Sequence, residues 1–106
     1  MRGETFKAIS HPFRVQVLEM LSDGQIHPTA ALAHGEPMTK AAISQHLKIL
    51  RESGLVIEIK EGREKRYCLD PSGIAEILAW AETFQLFWTN KMRNLAQYME
   101  AQHGKD

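Results

Sequence analysis

Apolar positions keep helical spacing over most of this chain and switch to an extended run only once, between residues 55 and 69. Ile43, Leu47 and Leu50 stand at i, i+4 and i+7, the recurrence of one helical face. Thr39 occupies the place where an N-cap supplies a side-chain oxygen to the first free N–H groups. Gly54 stands where a left-handed residue closes a helix. Val56, Ile57 and Ile59 then face Tyr67 and Leu69 across Glu61-Gly62-Arg63-Glu64, a turn containing glycine. The pattern predicts a helix, a stop and a β-hairpin in direct succession.

The flanking segments are helical. Glu4–Ile9 predicts a short helix with Phe6 and Ile9 on one side, broken by Ser10-His11-Pro12. Proline fits the first turn of the next helix, where its missing N–H is not needed. That helix runs from about Pro12 to Leu21, with Phe13, Val17, Leu18 and Leu21 inward, and stops at Ser22-Asp23-Gly24. Pro28–His34 predicts two helical turns with Leu32 inward, before a Gly35-Glu36-Pro37 turn. A last helix is expected near 74–101, because Ile77, Ala81, Phe84, Trp88, Met92, Leu95 and Met99 are spaced 4, 3, 4, 4, 3 and 4 apart. Trp80, Phe87 and Tyr98 widen that stripe. A helix of that length would reach roughly 42 Å, longer than a domain of this size is wide, so it must overhang the body. A second copy related by two-fold symmetry is the simplest cover for its aromatic residues. The fold class expected is mostly α with a small β-hairpin: about five helices and a two-stranded wing in one domain, residues 1–106.

Charge sharpens this picture. The chain is neutral overall, yet residues 38–69 hold seven Lys/Arg against four Asp/Glu, while the segments on either side are net negative. Positive charge is thus concentrated in the helix–hairpin segment, and phosphate binding responds to that local field. The helix carries Lys40, Ser44, Gln45, His46, Lys48 and Arg51 on its polar side, and the hairpin carries Arg63, Lys65 and Arg66. A helix rich in hydrogen-bonding side chains followed by a basic hairpin is how a winged helix-turn-helix reads DNA. Lys40, Ser44 and Gln45, near the helix start, suit base edges; Lys48 and Arg51 suit phosphates. Arg63, Lys65 and Arg66 suit phosphates or the minor groove. With Thr39 and Ala41 in the first turn, these residues make up the expected contact set for double-stranded DNA.

Other chemistry finds little support. No apolar run approaches the roughly 18–20 residues of a membrane span, and no secretory leader is evident, so a cytoplasmic protein is expected. The single cysteine, Cys68, excludes an internal disulfide. It lies near Lys65 and Arg66 and could serve as a lone thiol switch; strand alternation turns it away from Tyr67 and Leu69. His27 and His34 stand seven apart and could share a helical face, but zinc would need a further protein ligand. No phosphate loop or Ser/His/Asp arrangement points to an enzyme, and neither a metal nor a cofactor is expected.

Phe6-Lys-Ala-Ile-Ser-His-Pro-Phe-Arg14, Ala42-Ile-Ser-Gln-His-Leu-Lys-Ile-Leu-Arg-Glu-Ser-Gly-Leu-Val56, Glu61-Gly-Arg63, Tyr67 and Leu69-Asp70-Pro71 together resemble the ArsR-type winged-helix transcriptional repressors. The resemblance covers nearly the whole chain. It implies a homodimer built from the first and last helices, here Phe6, Ile9, Trp80, Phe84, Phe87, Trp88 and Leu95. It further implies binding to an inverted repeat and repression, often of the protein's own operon, with Ser44 in a base-reading position. The chain departs from metal-sensing members: the segment before the recognition helix, Leu32-Ala-His-Gly-Glu-Pro-Met38, has no cysteine, and the last helix offers only Glu100 and His103 near its end. It resembles the branch without a metal box, and no effector is implied. Two alternatives stay open: a winged-helix protein-interaction module that does not bind DNA, and a metal- or thiol-responsive sensor of the same fold.

Overall fold

Thr39 caps the central helix through its hydroxyl, which accepts from the Ala42 N–H at 3.1 Å. The computed structural model describes residues 1–103; of the tail predicted at His103–Asp106, residues 104–106 lie outside them. The chain forms α1 (Gly3–Ala8), α2 (Pro12–Met20), β1 (His27–Pro28), α3 (Thr29–Leu32), α4 (Lys40–Glu52), β2 (Val56–Glu61), β3 (Glu64–Leu69), α5 (Pro71–Glu82) and α6 (Gln85–His103). This is a winged helix-turn-helix, with α3 and α4 as the helix pair and β2–β3 as the wing.

The core lies where the 3.6-residue period places it. Phe13 and Val17 of α2, Leu21 in a short 3-10 turn, and Leu32 of α3 meet Ile43, Leu47 and Leu50 of α4. Leu55, Val56 and Tyr67 close it from the wing side. Gly54 ends α4 with φ +79°, as its position predicts.

The inward face of α1 carries Thr5 and Ala8; Phe6 is exposed, and Ile9 is half-buried against the core. Expectations further along the chain are corrected. Only Thr29–Leu32 of the expected Pro28–His34 helix is helical, because His27 and Pro28 pair with Tyr67 and Arg66 as a third strand. The sheet order is therefore β1-β3-β2, with proline on an edge where its missing N–H is tolerated.

The last helix begins earlier than expected and is two helices, giving six among the described residues. Asp70 caps α5 through its carboxylate, which accepts from the Ser72 N–H at 3.0 Å, and Pro71 opens its first turn. Thr83 interrupts the run: its hydroxyl donates to the Trp80 carbonyl at 2.7 Å, and the Thr83 and Phe84 N–H groups bond three residues back, to Trp80 and Ala81. A hydroxyl competing for helical carbonyls is the local cause. The apolar spacing carries straight across this interruption, so periodicity alone misses it. Beyond it, α6 buries none of its residues, and the molecule extends to 69 × 28 × 23 Å.

Candidate nucleic-acid interface

The cap at Thr39 and the apolar seam at Ile43, Leu47 and Leu50 fix which side of α4 faces out. At about 100° per residue, Lys40, Ala41, Ser44, Gln45 and Lys48 fall within one exposed arc. They sit at the helix start and middle, where a recognition helix meets base edges. Lys48 stands 4.0 Å from Glu52, a solvent-exposed pair of little energetic weight. Thr29, Ala33, Lys40, Ser44 and Lys65 line a shallow groove between α3, α4 and β3.

His46 stands apart from the rest of the expected contact set. Its ring turns inward, tilted against His11 with ring centroids 4.2 Å apart and 5.4 Å from that of Phe13. Arg14 Nη1 lies 2.9 Å from its Nδ1. Guanidinium only donates, so Nδ1 accepts and the ring proton sits on Nε2. Burial, then the charges of His11 and Arg14, lowers the His46 pKa below the ordinary histidine value. On the wheel His46 lies only about 40° from Leu50, a signal the sequence already carried.

The sequence reading missed Arg14, which is buried among these groups. It donates to the carbonyls of Ala8 at 2.7 Å and Lys7 at 3.0 Å, at the C-terminal end of α1, where the Lys7 carbonyl also accepts from the Ser10 N–H. Its helical spacing beside Phe13 and Val17 marked an inward position. Arg14 thereby joins the end of α1 to the recognition helix.

The wing divides its cations between two faces. Strand alternation places Val56, Glu58 and Lys60 with Lys65, Tyr67 and Leu69 on one face. Arg66 belongs to the other, where it pairs with Glu64 at 3.3 Å and Glu61 at 3.7 Å. Arg63 stands exposed at the tip beside Gly62, whose φ of +63° makes the tight turn, with no ion-pair partner among the described residues. Lys60, outside the expected set, is exposed on the same face as Lys65.

Arg51 and Lys65 are engaged by one carboxylate. Glu58 Oε2 takes Arg51 Nη1, and Oε1 takes Lys65 Nζ at 3.3 Å and the Tyr67 hydroxyl at 3.1 Å. Burial alone would raise the Glu58 pKa, yet the hydrogen bonds from Arg51, Tyr67 and Lys65 outweigh it and hold the group below the usual carboxylate value. Burial and the facing Glu58 push the Tyr67 phenol up to about 12, so it remains a donor.

The expected dimer residues gather at the far side. Phe6 meets Trp80 edge-on at 6.3 Å, and Trp80 meets Phe84 at 5.2 Å. Phe84, Phe87, Trp88 and Leu95 are exposed, as are Leu86, Met92, Tyr98 and Met99. His27 pairs with Asp23 at 2.9 Å, and His34 is exposed. Among the described residues no three His, Cys, Asp or Glu side chains gather as a metal site.

A capped helix with an outward hydrogen-bonding face, seated on a second helix and flanked by a glycine-turned basic hairpin, defines a winged helix-turn-helix DNA-binding regulator. Residues 11–58 match the family described as bacterial regulatory protein, arsR family, and the chain belongs to that family of transcriptional regulators. It is 31% identical over 97 residues to the HTH-type transcriptional regulator Rv2034 of Mycobacterium tuberculosis, covering 92% of this chain and 87% of that protein. It is 29% identical over 82 residues to the transcriptional repressor SdpR of Bacillus subtilis, covering 77% of this chain and 90% of that one. A solved structure of the ArsR family transcriptional regulator RHA00566 is similar with a TM-score of 0.72 and 26% identity, covering 81% of this chain and 93% of that one. The function is transcription regulation through DNA, without an enzymatic step. No helix among the described residues is long and apolar enough to cross a membrane.

Proposed function

We propose that this chain works as a homodimeric cytoplasmic repressor that binds an inverted-repeat operator, that of its own operon being the first to test. The observation that carries the reading is the placement of two unsatisfied surfaces on one chain. Among the described residues, Lys40, Ser44 and Gln45 on the outward arc of α4 offer donors and acceptors with no side-chain partner, and α6 offers an apolar face that buries none of its residues. Pairing two copies through Trp80, Phe84, Phe87, Trp88 and Leu95, with Phe6 at the margin, covers the second surface and presents the first twice. Ile9, which packs partly against the core of its own protomer, is the remaining member of the expected interface. Two recognition helices related by a two-fold axis then enter successive major grooves of a palindromic site.

Within each copy, Lys40, Ser44 and Gln45 read base edges, Thr39 and Ala41 approach the backbone at the helix start, and Lys48 and Arg63 take phosphates. His46 acts from within, holding α4 against Arg14, and Arg66 sits on the wing's other face. The SdpR relative, named a repressor, supports blocking as the output.

The test is fluorescence anisotropy with the duplex upstream of this protein's own gene against a scrambled duplex, at two salt concentrations. A preference that survives the higher salt supports a specific operator there. Equal, salt-labile binding to both removes the own-operon part of the reading. Binding to neither at low salt overturns it.

A further inference from the structure

Glu58 is the one carboxylate of the wing that reaches across to the recognition helix. Its side chain is only 12% exposed, whereas those of Arg51 and Lys65 are 40% and 44% exposed. The carboxylate is recessed, and both of its oxygens are occupied by donors from α4 and β3. By contrast, Glu61 and Glu64 lie at the wing's end, largely in solvent, and hold only Arg66. A recessed carboxylate with several donors keeps its partners better than an exposed one, because screening and side-chain freedom weaken the exposed pairs.

Two consequences follow from that geometry. The joint ties β2 and β3 to the last turn of α4, so the angle of the wing is set relative to the reading face. It also occupies two of the seven cations in residues 38–69, leaving the charge open to phosphate well below the count in the sequence. Phosphate contacts position a protein on any duplex without reading its sequence, so each cation left free adds to indiscriminate binding. We propose that Glu58 is the specificity-setting residue of the wing: it fixes the wing's angle to α4 and withholds Arg51 and Lys65 from indiscriminate phosphate binding. This rests on the reading in which the wing meets DNA.

The test compares E58Q with the wild-type chain by anisotropy on a scrambled duplex and on the upstream duplex across a salt series. Glutamine keeps the shape and an acceptor for Tyr67 but gives up the ion pairs. E58Q is expected to bind the scrambled duplex several-fold more tightly at low salt. Its log K against log salt is expected to steepen by about 0.9 for each cation released, up to about 1.8 for both. The ratio of upstream to scrambled affinity falls with it. E61Q makes the same charge change away from the joint and is expected to keep that ratio. An E58Q slope equal to wild type, or an E61Q shift as large as that of E58Q, overturns the inference. If E58Q shows no cooperative melting transition, K65Q supplies the reading. A cation already held by Glu58 gives up little when removed, so its slope stays near wild type, and a slope shallower by about a full unit overturns the inference. Arg63→Ala separates this inference from its parent. A wild-type slope in that variant sinks the wing reading itself, while a shallower one beside an unchanged E58Q sinks only the role of Glu58.

Discussion

A β-carbon added to Gly73 would stand 1.9 Å from the carbonyl oxygen of Gly54 and 2.7 Å from its carbonyl carbon. The first turn of α5 is thus seated directly on the residue that closes the recognition helix. Both contacts are backbone, and Gly54 is already committed to its left-handed conformation, so neither side can yield cheaply. Gly73→Ala is expected to destabilise the fold by about 3 kcal/mol, the upper end of the overpacking range. Differential scanning calorimetry checks it. A melting temperature equal to wild type would mean that α5 is not seated there.

The pairing of Arg14 with His46 gives stability a pH dependence of defined sign. Its geometry requires an unprotonated Nδ1, and burial together with the His11 and Arg14 charges lowers the folded-state pKa below the ordinary value of 6.5. A group with a depressed folded pKa stabilises fully above its unfolded value and loses that contribution as pH falls through the folded one. Urea unfolding is therefore expected to show wild type losing stability relative to His46→Gln as pH drops below about 6.5. Glutamine keeps an acceptor for Arg14 and does not titrate. A difference between the two proteins that stays constant with pH would remove His46 as the titrating group.

What the chain's letters disclosed depended on whether a feature was local. Thr39, Gly54 and the Ile43–Leu47–Leu50 seam follow from cap chemistry and helical period, and the hairpin follows from a glycine turn between apolar runs. His27 and Pro28 form a strand only because β3 lies beside them, a long-range pairing that two residues cannot announce. The interruption at Thr83 turns on one hydroxyl and leaves the apolar spacing intact. In the candidate interface, the exposed arc of α4 was legible, but the partners of each cation were not. Arg51, seven residues from Glu58, and Lys65, seven on its other side, meet that carboxylate only after the wing folds back. His46 and Arg14 are polar letters on inward positions, and polarity misleads when a buried partner satisfies it.

Ser44 and Gln45 carry the base-reading claim. Replacing both with alanine removes hydrogen-bonding groups from exposed positions, so the melting temperature should hardly move. Each lost base contact is expected to weaken specific binding by about 1–3 kcal/mol, with binding to scrambled DNA unchanged. Operator discrimination that survives the double substitution in anisotropy titrations would take these residues out of that role.

Arg63 is a phosphate contact if the wing touches DNA. Arg63→Ala is then expected to lower affinity for every duplex and to flatten the slope of log K against log salt by about 0.9. Titrations across a salt series on matched and scrambled duplexes measure both effects. A loss confined to one sequence would instead make Arg63 a minor-groove reader.

Trp88 is 64% exposed on a helix that buries nothing in its own protomer, so its contribution to the chain's own stability is small. Across a two-fold interface it counts twice. Burying an aromatic or large aliphatic side chain yields about 1.5–3 kcal/mol, so two copies supply about 3–6 kcal/mol to association. Trp88→Glu removes that and places a carboxylate in an apolar contact on each side, which is itself unfavourable unless paired. The dimer dissociation constant is expected to rise by at least two orders of magnitude, at about 1.4 kcal/mol per tenfold. Light scattering coupled to size exclusion at micromolar protein should then report a folded monomer. Because a monomer presents one recognition helix, operator affinity should collapse together with the dimer, while the unfolding transition of the winged-helix body persists. A dimer that survives the substitution would place the interface on another surface and separate α6 from DNA binding altogether.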